Sequence, residues 1–558
     1  MMRQLILSLT SVLCLLSATV SAQRAVTTDT ETYTGIGMNV HYVSYAGDML
    51  YFNDLTRHGS HWLPTNETMR FTQDANGYPT SIDGEGSLLM LVVEEMRGLP
   101  NGDYLLTWEG TGRFTIEFNE QTWTFTEQDQ SPQTLTVTDA QAINTVLLFL
   151  EHTDPDDHLR DLHLWLPGTS DATSPFAQSF KDRIAGFSPI RFTDWGITNT
   201  EVGAEDVVLW RTWDDRPRQS WYTWSSLGAD GMRGVPYDLH IQLANEMQAD
   251  MWISLPHLAD DDFVAQLAQL IREQLDPELR VWVEYTNEHW NWWFNQALYV
   301  NEQAERVRAE EGYDEYFGSH YYARRAGETL AIFERVFAED ADRVIGVIAG
   351  QAGWAAPLQV ALEEIDRMGT HDLFDVAAIA PYFGNSTDEG VLHPVDEAVA
   401  SALPQIDAQD YDAIFTAIDA QITAMFTNQS ETGREIQRNR ELADRYDLPI
   451  VTYEAGQHYT VWGVESVDLD QEAMGAAYAS VNRHPRMYDI YQRYLDLWYE
   501  TYGGCTLVFF HLGGSWWWET EYFGHLEYGT QDVSDAHKYR AIRDWQAQNP
   551  QAGCRRTQ

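Results

Sequence analysis

VWVEYTNEHWN, residues 281–291, is the stretch on which the fold turns. Its first four residues, Val281 to Glu284, have the β-branched and aromatic character of a short buried strand. Asn287 and Glu288 stand at the C-terminal end of that strand, with Trp290, Trp292 and Trp293 just beyond. An amide beside a carboxyl, at a strand tip and among indoles, suits an acid that cleaves a sugar bond. Apolar walls raise a carboxyl pKa, so the group can hold a proton near neutrality. The same residues also read as the start of a helix, with Asn287 as its N-cap.

A second apolar strand with a carboxylate at its end lies in LPIVTYEAGQHY, residues 448–459, and the carboxylate is Glu454. Retaining glycosidases use two carboxyls, one acid/base and one nucleophile, roughly 5 Å apart. In a (β/α)8 barrel, residues at different strand tips converge on one face. The chain between Glu288 and Glu454 has room for two intervening βα units. That spacing puts Glu288 after the fourth strand and Glu454 after the seventh.

The Asn-Glu pair after one strand and the lone Glu three strands later resemble the clan A glycoside hydrolases, the TIM-barrel retaining enzymes. More narrowly, RFTDW (191–195), GVPYDLHIQLANEM (234–247), MWISLPHLADDDFV (251–264) and VWVEYTNEHWN resemble a group of secreted bacterial proteins described as cellulose-binding or carbohydrate-binding. The similarity covers residues 187–518, and it is specific as to clan and poor as to substrate. It implies an α/β fold, a (β/α)8 barrel with Glu288 as acid/base and Glu454 as nucleophile, and no cofactor. It implies an arginine, Arg191, beside the nucleophile, where its charge would hold Glu454 ionised; a core-rim ion pair is the other reading. Side-chain alternation puts Arg191 and Thr193 on one face of their strand and Phe192 on the other. Asn287 would donate to a sugar 2-hydroxyl. His257 either contacts substrate or is structural, and Tyr382 either donates to Glu454 or packs at the rim. Trp516 would floor the sugar subsite, with Trp517 or Trp518 as alternatives. Trp290 and Trp195 complete the expected substrate contacts. Trp195 opens a loop that also holds Asn199, Trp210, Trp213, Trp221 and Trp224, and so many indoles suggest a ligand for those not packing the loop itself.

The rest of the chain sets the frame. Residues 1–22 have a signal-peptide pattern: Arg3, an apolar core from Leu5 to Val20, and small residues to Ala22. Residues 23–65 read as the first barrel strand, its tip at His41 and Tyr42, followed by a helix or loop. Residues 66–168 change texture. Seven short alternating segments broken by Gly, Asn and Asp predict an inserted antiparallel β-sandwich resembling a carbohydrate-binding module. Trp108 and Trp123 there are either sugar platforms or core. Residues 169–550 would complete the barrel.

With 85 acidic against 35 basic residues the net charge is −50, which argues against nucleic acid and anionic membranes as partners. It fits a protein of salty surroundings or plain solubility, and it favours a neutral glycan, which the resemblance implies is β-linked. Beyond Cys14 in the leader, only Cys505 and Cys554 remain, and a bridge between them is expected. No metal-ligand spacing is present in the sequence, so no metal site is predicted. These readings predict a secreted or periplasmic retaining β-glycoside hydrolase acting on a polysaccharide or oligosaccharide. A barrel that binds polysaccharide without cutting it is the alternative, and a transglycosylase using the same intermediate is a third reading.

Overall fold

The computed structural model describes residues 32–47, 49–141, 143–199, 210–226, 234–385, 392–403, 411–461, 464, 468–514 and 522–555. At its centre are eight strands: β1 (Ile36–Asn39), β2 (Ile190–Arg191), β3 (Met251–Leu255), β4 (Val281–Tyr285), β5 (Val344–Ala349), β6 (Val376–Ile379), β7 (Ile450–Thr452) and β8 (Leu507–Phe509). From β1 to β7 each strand pairs in parallel with the next in chain order, and β8 pairs in parallel with β1. Between β7 and β8, Cys505 N donates to Ile450 O at 2.9 Å and Thr452 N to Thr506 O at 3.1 Å. The sheet is therefore nearly closed and barrel-like, compatible with a (β/α)8 barrel.

Helices follow the strands in turn and cover the outer face. Asp261–Gln274, after β3, shows why they form. Asp260 caps it by accepting from Phe263 N, and Phe263, Val264, Leu267, Ala268 and Ile271 make one buried stripe. Strands β3 to β6 are buried along their whole length, as parallel strands covered on both faces must be. Alternation sorts their residues. Val281, Val283 and Tyr285 join the outer core under the helices, while Trp282 packs inside with Trp252, Val347, Ala378, Val451 and Val508. Phe192 lies in the outer core and Arg191 is fully buried, as alternation predicts.

Several predicted elements are shorter or broken. Strand runs of up to a dozen residues become two to six residues long, because the chain leaves the ladder at each tip. The chain after β7, whose pattern reads as one helix over about 471–500, instead forms two, Gln471–Arg483 and Met487–Asp496, with a wider turn at Leu497–Tyr502. The region 48–62 holds one short turn of helix, Leu55–His58.

All seven alternating segments between β1 and β2 are strands, in two antiparallel sheets. One has three strands (Gln133–Val137, Gly102–Glu109, Arg160–Trp165). The other has five (Leu63–Pro64, Leu88–Arg97, Ile143–Thr153, Gly112–Phe118, Gln121–Phe125), so its first strand begins before residue 66. A further hairpin, Arg70–Gln73 with Pro79–Asp83, was not predicted. The two sheets share one apolar cluster. Trp108 of one lies 5.2 Å from Phe114 of the other and is buried, so it is core and not a sugar platform. Trp123 is partly buried against the same cluster.

At the end of the barrel away from the strand tips, Thr32–Thr34 pairs antiparallel with Gly553–Arg555. Cys505 and Cys554 are joined there by a disulfide, as expected. Among the described residues no helix is long and apolar enough to cross a membrane.

Candidate active site

Arg191 organises the site. It is fully buried on β2, and its guanidinium spends its donors on four side chains from three other strands. Nη1 donates to Glu454 Oε1 at 2.7 Å and to Asn39 Oδ1 at 3.0 Å. Nη2 donates to Asn287 Oδ1 at 2.7 Å and to Glu284 Oε2 at 2.9 Å, and Nε to the same Glu284 oxygen at 3.2 Å. Planar fork geometry suits this multiple recognition, which a lysine would not reproduce.

Glu454 and Glu288 each receive a phenol. Tyr382, beyond β6, donates to Glu454 Oε2 at 2.9 Å. Tyr453, the residue before Glu454, donates to Glu288 Oε1 at 2.9 Å, while Asn291 Nδ2 holds Glu288 Oε2 at 2.7 Å. The two carboxyls thus belong to one hydrogen-bonded cluster at the strand tips. Glu288 itself has φ 40° and Thr286 φ 50°. Left-handed backbone is uncommon for non-glycine residues, most of all for β-branched ones, and it clusters where a turn aims functional side chains.

Burial pushes the Glu454 carboxyl up to about 8, against the opposing charge of Arg191 and with the repulsion of Glu288 added. Burial also raises Glu288, against hydrogen bonds from Asn291 and Tyr453 and the charge of Arg191. Arg191 lies beside Glu454 as expected and its charge favours the ionised carboxylate, against the burial that raises it; the same guanidinium also faces Glu284. Two coupled carboxyls raised together lose their protons in two steps that belong to the pair.

Of the predicted residues, Arg191, Asn287, Glu288, Tyr382 and Glu454 come together. Asn287 passes one amide N–H to Asn199 Oδ1 at 3.0 Å, which Gln296 also holds at 2.7 Å. Trp290 is partly exposed, with its ring 6.3 Å from that of Tyr453. Trp195 does not belong to the site. It is wholly buried among Tyr51, Phe52, Phe176 and Phe180, because the chain leaves β2 after Arg191 and the turn over residues 193–197 carries the indole out into the outer core. Trp210, Trp221 and Trp224 are buried too, so these loop indoles are core. His257 is buried, its ring against Tyr299 and its carbonyl accepting from Tyr285, and burial drops its pKa to about 4. Burial thus favours its uncharged form, and its observed contacts are those of a packed histidine. Trp516, Trp517 and Trp518 lie outside the described residues, as do residues 1–22. At the tip of β8 the partly exposed Phe510 has its ring 6.3 Å from Tyr382.

Sequence reasoning missed Asn39, Glu284, Asn291 and Tyr453. Glu284 carried a signal: a charged residue inside an otherwise apolar strand, even-numbered with Trp282 and so facing the barrel interior. Among the described residues no group of His, Cys, Asp and Glu is placed to hold a metal ion.

No family model matches the chain, and no curated protein matches it. Solved structures to which it is similar include three carbohydrate-active enzymes. One is the CBM22-1–GH10 portion of the Clostridium thermocellum endo-1,4-beta-D-xylanase 10B complexed with xylohexaose, at 9% identity and TM-score 0.36, covering 90% of this chain and 97% of that one. Another is the GH51 arabinofuranosidase of Xanthomonas axonopodis pv. citri, at 10% identity and TM-score 0.33, covering 68% and 66%. An agarase follows at 9% identity and TM-score 0.27, covering 90% and 99%. At these values the likeness decides neither fold nor reaction, which rest on the geometry above.

Proposed function

We propose that the protein is a secreted or periplasmic retaining β-glycoside hydrolase on a (β/α)8 barrel, acting on a neutral polysaccharide or oligosaccharide, with a β-sandwich inserted after the first strand. The observation that carries this reading is a pair of held carboxyls at the tips of β4 and β7, Glu454 gripped by Arg191 and Tyr382 and Glu288 by Tyr453 and Asn291. A binding surface has no use for a buried carboxylate gripped by an arginine and a phenol beside a second carboxyl. A double displacement uses all of these parts.

In that reaction Glu288 gives its proton to the departing glycosidic oxygen. Glu454 attacks the anomeric carbon and forms a glycosyl-enzyme ester. Glu288, now ionised, takes a proton from water, whose oxygen displaces Glu454 and releases the sugar. Tyr453 and Asn291 orient Glu288 through both oxygens, and Arg191 and Tyr382 do so for Glu454. The partly exposed Trp290 and Phe510 offer apolar faces for the sugar ring, and Asn287 retains one amide N–H for a hydroxyl. The leader-like pattern of residues 1–22 supports export.

A panel of aryl β-glycosides tests the reading with the wild type and Glu454→Ala. Turnover lost in the variant, and a product whose first-formed anomer keeps the β configuration by proton NMR, is the expected result. Retention of the wild type on insoluble glycans with no bond cleaved would replace it with a non-catalytic polysaccharide-binding barrel.

A further inference from the structure

Glu284 is a wholly buried carboxylate four residues before Glu288, on the interior face of β4. Four donors converge on its Oε2: Arg191 Nε and Nη2, Trp252 Nε1 at 3.0 Å, and Ser254 Oγ at 3.0 Å. Its Oε1 is buried with no hydrogen-bond partner. Burying a carboxylate so deeply is costly, and packing alone does not call for it. Its main partner is the guanidinium that also grips Glu454, so one positive charge lies between two carboxylates. The ion pairs measure 2.9 Å to Glu284 and 2.7 Å to Glu454.

We propose that Glu284 is a positioning residue that divides the charge of Arg191, fixing its Nε edge so that only Nη1 reaches Glu454 and the nucleophile keeps its basicity. The inference rests on the reading of Glu454 as nucleophile. Without Glu284 the full charge of Arg191 would fall on Glu454, making a weaker nucleophile and a better leaving group. Burial is what chiefly raises the Glu288 carboxyl, and the charge of Glu284 adds to it by opposing ionisation there. The ionisable groups facing this cluster are Arg191 from β2, Glu288 from the loop after β4, Tyr453 and Glu454 from the end of β7, Tyr382 from beyond β6, and Tyr322 from the helix Gly318–Phe337.

The test is Glu284→Gln, which keeps the shape and removes the charge. Both limbs of its pH profile for kcat/KM on an aryl glycoside should move toward acid by about one unit or more, a one-unit shift being tenfold in the ionisation constant. A part that only held the fold together would lower the rate without moving the limbs. Limbs that stay where the wild type has them overturn the proposal. Should Glu284→Gln fail to accumulate as folded protein, Glu284→Asp draws the carboxylate back by one methylene, and a smaller shift of the same sign is expected. A second readout needs no turnover. Water-soluble carbodiimide labels protonated carboxyls, and peptide mass mapping follows Glu454. The pH midpoint of labelling should fall in the variant, and an unmoved midpoint overturns the proposal. A moved midpoint in a protein that cleaves no glycoside would sink the hydrolase reading while sustaining the role of Glu284.

Discussion

Tyr453 and Glu454 are neighbours in the chain yet serve different carboxyls, since the phenol of one holds Glu288 while the other is itself held by Tyr382. Tyr382→Phe removes one donor to a charged acceptor, a bond worth about 1.5–3 kcal/mol. We expect kcat to fall by about tenfold to a hundredfold with little change in KM, measured on the best aryl glycoside found. Glu454 also links the site to stability. Its folded pKa is raised from 4.5 to about 8, so the folded state binds more protons than the unfolded one across that window. The stability it contributes is present below about pH 4.5 and is lost as pH rises through about 8. Thermal melts should show the wild type losing more stability between pH 5 and 8 than Glu454→Gln, and equal slopes would refute the assignment. The two carboxyls proposed as catalytic were legible because each follows the end of an apolar strand. Tyr453 was not, because nothing in a strand-end tyrosine says which of two carboxyls it will reach. Trp195 misled for a related reason: continued strand alternation would have put its indole on the face of Arg191, but the strand ends at Arg191 and a turn swings the indole into the outer core.

The order of elements was readable from period and apolar runs, and the seven segments between β1 and β2 all became strands. Element ends were not readable. The tips bend away from the ladder to carry site residues, and the left-handed turns at Thr286 and Glu288 follow from tertiary contacts that no local pattern announces. The loop after β4 has one more consequence. Trp292 is 60% exposed and Trp293 79%, and Trp354, just past β5 on the neighbouring strand, is 53% exposed. Three indoles left in water on adjacent loops suit the apolar faces of sugar rings along a polymer. Trp293→Ala should raise KM for a polysaccharide severalfold and leave an aryl glycoside unaffected. Equal effects on both substrates would count against a polymer-binding role for this loop.

For the whole molecule, charge and the tied ends matter most. A net charge of −50 repels itself at low ionic strength. The Debye length shrinks from about 10 Å at 0.1 M salt to about 3 Å at 1 M, so Tm should rise with sodium chloride over that range. A flat or falling Tm would contradict self-repulsion as a destabilising force. The Cys505–Cys554 bridge spans 49 residues of chain, and in the loop-closure picture a cross-link of that length contributes about 4 kcal/mol. Reduction by dithiothreitol should lower Tm by several degrees, and the double Cys→Ser variant should match the reduced protein. The same corner holds Thr32–Thr34 against Gly553–Arg555, on the side of the barrel turned away from the carboxyls. A resin bead, a cell-wall anchor or a fused partner grafted at either of these strands would sit behind the molecule, leaving the cleft facing outward and free to meet a substrate too large to diffuse.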